Sequence, residues 1–328
     1  MRAMRQYLAM VLVVWTAACI AAYFYSKQQN IPASIAYALV PAFLAELAFY
    51  LVPAFERVRK LFERLGPKAA RSAALTITAL IPYLIESLRT HTFSLLSFGM
   101  LLMIAAIASF WYARQQTGLL SDLLFMAAMG AVYMSRLFPH IYARPAGAPA
   151  IDILGRLMWI RVGITALLSI RGWKDARFGF VPSRSEWQIG VEHYLYFLPV
   201  GGLLAFVLHA VRFRPLPVVW WRFPLFALGI FLGILWVVAL AEEFFFRGFL
   251  QQLITKGTHS EAVGIMTASI VFGLVHLPFR GFPNWKWVML TFVLGIFCGL
   301  AFAKAKSVRA SMVTHALVVT TWRVLFAG

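Results

Sequence analysis

The sequence predicts an all-α fold, a polytopic bundle of about nine or ten membrane-spanning helices. Three observations predict it. Of the 328 residues, 62% are apolar and only 13% are charged, whereas an ordinary globular chain is roughly 45–50% apolar and about 25% charged. Apolar runs of about 17–25 residues recur from one end of the chain to the other, each long enough to cross a hydrocarbon core of roughly 30 Å. The charges that do occur fall mostly between those runs.

The runs lie near residues 7–25, 33–55, 73–88, 93–112, 119–138, 191–211, 223–241, 262–278, 285–303 and 308–326. Arg2 and Arg5 flank the first as in a signal peptide, yet its apolar stretch continues past Cys19 to Tyr25, so it reads as an anchor and not a removed leader. Thr16, three residues before Cys19, also fits a lipoprotein cleavage site poorly. The second run contains Glu46, an isolated intramembrane acid that reads as a helix–helix hydrogen bond. Arg57, Arg59, Lys60, Arg64, Lys68 and Arg71 follow it and mark that loop as cytoplasmic, with the N-terminus on the same side.

Residues 151–170 are apolar but interrupted by Arg156 and Arg161, which predicts an interfacial or short membrane helix. The basic group Arg171, Lys174, Arg177 and Arg184 lies inside only if that segment crosses, in which case the Glu242 end of its span is cytoplasmic too. "RPAGAPA" at 144–150 and the polar stretch 171–188 divide the chain. The expected organisation is an N-terminal part, 1–145, of spans with no recognisable constellation, a linker at 146–190, and a core at 191–328 that holds every chemical motif. Among the remaining histidines, His193 beside Glu192 is the one not read as a loop or interface residue.

A net charge of +18 raises a nucleic-acid reading, which fails because the bases are scattered over loops and form no tract interleaved with exposed aromatics. Anionic lipid headgroups are the expected partners of these cations. Cys19 and Cys298 are the only cysteines, and both sit in apolar runs, giving no disulfide framework and no Cys-based metal site. HExxH, GxSxG, GxGD and GxxxxGK[ST] are all absent, which removes a helical zinc site, a serine nucleophile elbow, an aspartyl dyad and an ATP engine.

What remains is "LAEEFFFRGFLQ" at 240–251. A charge at mid-membrane costs about 2.5–3.5 kcal/mol on insertion scales, so a charged residue there implies a function by default. Glu243 and Arg247 are four apart and share a helix face, where an ion pair offsets part of that cost. Glu242 points about 100° away and has no opposite charge at i+3 or i+4; it is the carboxylate left available as a general base. His276 follows at the end of the next span and His315 within the last, so packed helices can bring Glu242, His276 and His315 to one depth.

These residues resemble the CAAX protease and bacteriocin-processing (CPBP) family of glutamic intramembrane proteases, which includes the CAAX prenyl endopeptidases. That family carries EExxxR, FxxxH and HxxxN on successive membrane helices; this chain reads "EEFFFR" at 242–247, "FGLVH" at 272–276 and "HALVV" at 315–319. "RFGFVPSRSEWQIG" ahead of them is similar to the family's lead-in. The resemblance implies an endopeptidase in which Glu242 and His276 activate a water, His315 stabilises the oxyanion, and Glu243 and Arg247 hold the site in shape. It implies no cofactor and no metal. Its substrate would be a membrane protein or peptide, and its location a bacterial inner membrane.

Val319 departs from the family pattern, since valine cannot donate the hydrogen bond that asparagine would; Thr320 or Thr321 is the nearby hydroxyl. That departure supports an alternative, a catalytically silent relative acting as a membrane scaffold or bacteriocin-immunity protein. A proton-coupled transporter using Glu46, Glu242 and the histidines is a third reading, opposed by the clustering of the acids and the lack of an inverted repeat.

Overall fold

The computed structural model describes residues 2–145 and 147–327. Met1, Gly328 and Ala146, the first residue of the expected linker, lie outside it. Strand is confined, among the described residues, to an antiparallel pair of two-residue segments, Arg212–Phe213 with Phe326–Ala327. The fold is an all-α bundle and the chain is an integral membrane protein. By length and apolarity seven of the described helices are able to cross a membrane, and two more, Leu119–Met134 and Glu261–Leu274, are apolar but shorter. Lys68–Thr90 and Val308–Leu325 account for the remaining expected runs as helices.

Two compact units divide the chain between Trp173 and Lys174. The first contains α1 (Arg2–Gln28), α2 (Ala33–Leu51), α3 (Glu56–Glu63), α4 (Lys68–Thr90), α5 (Leu95–Arg114), α6 (Leu119–Met134), α7 (Leu137–Ile141) and α8 (Ile153–Thr165), the last continuing through a π-helical stretch to Arg171. Ile153–Arg171 is long and apolar enough to span, and 89% of it is buried within the protein. Arg161 donates to both oxygens of Glu46 at 2.9 and 3.1 Å and to the Thr78 hydroxyl. Glu46 is therefore a helix–helix contact, made to a guanidinium. Arg171 holds Asp122 in the same bidentate way, and Tyr112 donates to that carboxylate at 2.9 Å. Glu46 and Asp122 thus enter the bundle with a guanidinium, as a low-dielectric interior favours, whereas the buried Glu86 is held at one oxygen by the Thr90 and Thr92 hydroxyls.

The second unit contains α9 (Arg184–Val207), α10 (Phe223–Thr258), α11 (Glu261–Leu274), α12 (Trp285–Ala305) and α13 (Val308–Leu325). Side-chain caps start four of them: Ser183 with Glu186 in a reciprocal capping box, Ser260, Asn284 and Ser307. α10 is the long element. Its 36 residues rise about 54 Å at 1.5 Å each, far more than the ~30 Å a membrane core needs. The expected run ended near 241; the helix continues to Thr258, so Glu242 lies within it and not at its end. The cause is that Phe244, Phe249 and Leu250 carry the apolar face onward, while the charges between them are neutralised inside the bundle.

α12 sits close to α10 and α11 because Gly295 and Gly299 leave room for them. A Cβ at 295 would lie 2.9 Å from Ser269 Cβ, and one at 299 would lie 2.9 Å from Ile265 and 3.0 Å from the Gln251 amide oxygen. Small residues four apart allow this approach between membrane helices. Phe197, Phe272, Leu294 and Cys298 close the core around it.

Candidate active site

α10 places Glu242 and Glu243 on a single α-helical turn, Leu240–Glu243, flanked on both sides by π-helical stretches, Ile234–Ala239 and Phe244–Gln251. Such interruptions re-aim side chains and concentrate at functional sites. Glu243 is fully buried, and its Oε1 accepts from Arg247 Nη1 at 2.9 Å and from His315 Nδ1 at 2.7 Å. Arg247, also fully buried, is fixed from three sides: it donates to Gly295 O at 3.3 Å, and its guanidinium lies 4.2 Å from the centre of the Phe272 ring. One helical turn on, Gln251 repeats the contact by donating to Gly299 O at 3.2 Å. The (i, i+4) pair on α10 thus reads the (i, i+4) glycine pair on α12.

His315 is the hinge of the site. A carboxylate only accepts hydrogen bonds, so the bond to Glu243 puts a proton on Nδ1 and turns Nε2 toward Glu242. Nε2 lies 3.8 Å from Glu242 Oε2, too far for a direct hydrogen bond and wide enough for a water to touch both. Glu242 is the more open of the two acids, its side chain being 26% exposed. No protein donor reaches its Oε2, nor the second oxygen of Glu243.

His276 is oriented by its own backbone. Nδ1 donates to Phe272 O at 2.7 Å, one turn earlier, which leaves Nε2 outside that bond. The Phe272 ring is shared: His276 stacks on it at 4.8 Å and His315 at 5.8 Å between ring centres. The structure therefore joins Glu243, Arg247 and His315 by hydrogen bonds, sets Glu242 3.8 Å from His315 Nε2, and packs His276 on the same Phe272 ring as His315. His193 stays apart from this group, its Nδ1 bonded to Ile189 O. Val319, one turn after His315, is half-buried; Thr321 bonds to the Tyr194 hydroxyl at 2.8 Å, whereas the buried Thr320 hydroxyl has no partner.

Cys298 was not legible as part of this group. Its thiol, with Glu243 and His315, forms a buried triad of ligating atoms within 4.8 Å of one another, so a cysteine does lie among metal-binding residue types here. Those types suit zinc, but Glu243 Oε1 already holds both the Arg247 guanidinium and His315 Nδ1. Gln251 and the glycine pair were missed as well, although "GIFCG" at 295–299 carries the spacing.

Residues 224–321 match the family described as Type II CAAX prenyl endopeptidase Rce1-like. This stretch, under a third of the chain, is similar to that family. It runs from the first turn of α10 into the last turn of α13 and so contains all three motifs, in agreement with the resemblance they carried. The match supports a CAAX-type protease in general. No match was found among curated proteins or solved structures.

Proposed function

We propose that the Rce1-like unit is a glutamic intramembrane endopeptidase that hydrolyses a peptide bond of a membrane protein or membrane-associated peptide, in a bacterial inner membrane. The observation that carries this reading is the asymmetry of the two acids. Glu243 is committed to Arg247 and His315, while Glu242 has an unpartnered oxygen 3.8 Å from His315 Nε2. Glu242 takes the proton of a water held against an imidazole as that water attacks the substrate carbonyl, and it returns the proton to the departing amine when the tetrahedral intermediate collapses and the C–N bond breaks. Glu243 and Arg247 act as positioning residues, as a buried carboxylate does for the histidine of a serine protease.

His276, whose Nε2 is not engaged by its backbone bond to Phe272, assists the water. His315 serves the oxyanion only as an imidazolium, because its Nδ1 proton already belongs to Glu243; the Glu243 carboxylate supplies the negative charge such a cation would face. Val319 removes one donor that the family pattern provides, and losing an oxyanion donor elsewhere costs about 2.7–4 kcal/mol. The silent-relative reading rests on this residue.

The test is hydrolysis of a labelled peptide library by purified protein, read by mass spectrometry, for the parent, Glu242→Gln and Val319→Asn. Cleavage by the parent that vanishes in Glu242→Gln is the expected result, with faster cleavage by Val319→Asn. A Glu242→Gln variant that cuts at the parental rate would exclude the mechanism, and activity appearing only in Val319→Asn would favour a silenced protease.

A further inference from the structure

The acids of the second unit are Asp175, Glu186, Glu192, Glu242, Glu243 and Glu261, and none follows Glu261. All but one have a lysine or arginine partner: Lys256 on Asp175, Arg309 on Glu186, Lys304 on Glu192, Arg247 on Glu243 and Lys306 on Glu261. Glu242, the proposed base, is the exception. The other five acids of this unit are thus already engaged, and Glu242 is the one carboxylate there without a lysine or arginine partner.

Arg280 is such a cation. It sits on the turn that leaves α11, where Phe279 N donates to His276 O at 2.9 Å and closes a four-residue turn beginning at His276 itself. Its side chain is exposed but not loose. The guanidinium lies 5.6 Å from the centre of the Phe279 ring and 5.8 Å from that of Trp287. Phe279 packs edge-on against Trp287 at 5.2 Å and against His276 at 6.3 Å. Asn284 ties the loop down by donating to Phe279 O at 3.0 Å. Arg280 also has φ +58°, in the left-handed region that non-glycine residues enter at a cost. A strained backbone and two aromatic rings thus hold a fork of donors on the same turn that carries His276, and among the described residues no carboxylate lies within ion-pair distance of Arg280.

We propose that Arg280 is a specificity-determining residue that binds a carboxylate of the peptide substrate. A guanidinium on aromatic faces retains its in-plane donors, which match the two oxygens of a carboxylate. A C-terminal carboxylate and an acidic side chain both supply that group. This inference rests on the peptidase reading of Glu242 and His276, and its test uses binding, which needs no hydrolysis.

The probe is a dye-labelled pool of apolar decapeptides made in three forms: with a free α-carboxylate, with a C-terminal carboxamide, and as the carboxamide with one internal Glu. Binding to the full chain in neutral detergent is read by anisotropy for the parent, Arg280→Ala and Arg280→Lys. A charge-assisted pair at a half-wet site is worth roughly ten- to hundredfold in affinity. The parent should prefer the carboxylate pool over the carboxamide pool by about that ratio. Arg280→Ala should bring the ratio to about one, and Arg280→Lys should keep part of it. Tight binding of the Glu-containing carboxamide would identify the acidic side chain as the source, and weak binding the C-terminus. A parental ratio near one, or a ratio that survives Arg280→Ala, overturns the proposal. Loss of co-purifying anionic lipid in Arg280→Ala with the peptide ratio unchanged overturns it in favour of a membrane contact. Peptide preference without cleavage by the parent would leave Arg280 in its role and count against the peptidase reading.

Discussion

Removing one partner of the Glu243–Arg247 pair should be far more damaging than removing both. The pair is an (i, i+4) contact of 2.9 Å between two side chains with no exposure. In Glu243→Gln the carboxamide still fills the space, but the guanidinium is left buried without a counter-charge, a change that costs about 3–5 kcal/mol in comparable sites. Arg247→Met strands the carboxylate in the same way and should cost a similar amount. If the two effects were independent, the double variant would lose about 6–10 kcal/mol, the sum of these values. The double variant instead contains no uncompensated charge. Its remaining deficit is the Gly295 carbonyl, which loses its 3.3 Å donor from Arg247 and costs about 1–3 kcal/mol. Equilibrium unfolding of the purified protein in mixed detergent, followed by tryptophan fluorescence, measures all four forms. A double variant as unstable as the two singles combined would refute the idea that this pair is held by mutual compensation.

The same logic applies in the first unit, where Arg161→Leu should destabilise by about 3–5 kcal/mol because it leaves the buried Glu46 without its bidentate partner; an Arg161→Leu/Glu46→Leu double variant should recover most of it, read by the same unfolding assay. Gly299→Val should cost about 1–3 kcal/mol through overpacking against Ile265 and Gln251, and a thermal midpoint equal to that of the parent would show that α12 has room to move. Thr321→Val should weaken the α9–α13 contact through Tyr194, costing about 0.5–1.5 kcal/mol without abolishing peptide binding, and loss of binding would place Thr321 in the site.

The fold class was legible because membrane burial leaves a strong signal: nothing else accounts for so many long apolar runs with charges set between them. Individual elements were less legible where tertiary pairing overrides local polarity. Arg156 and Arg161 argue against a buried helix when read alone, and only the distant Glu46 explains how Arg161 is buried. The 36-residue α10 was cut short for a similar reason, since Glu242, Glu243 and Arg247 read as the end of a span until their partners are seen to come from α12 and α13. Within the site, Glu243 with Arg247 could be read from a four-residue spacing, because that contact lies within one helix. His315 on Glu243 spans 72 positions and Cys298 joins from a further helix, so neither contact leaves a local pattern. Arg280 was invisible for the opposite reason, because its meaning depends on which acids are already taken.

The most direct measurement of the central claim is a single turnover in water enriched in oxygen-18, with enzyme in excess over a cleaved peptide and product masses read for the parent and Glu242→Gln. Direct attack by a Glu242-activated water puts one heavy oxygen into the new carboxylate in the first turnover, and Glu242→Gln yields no product. Product formed by Glu242→Gln at the parental rate, or a first-turnover carboxylate carrying only the light isotope, would contradict it.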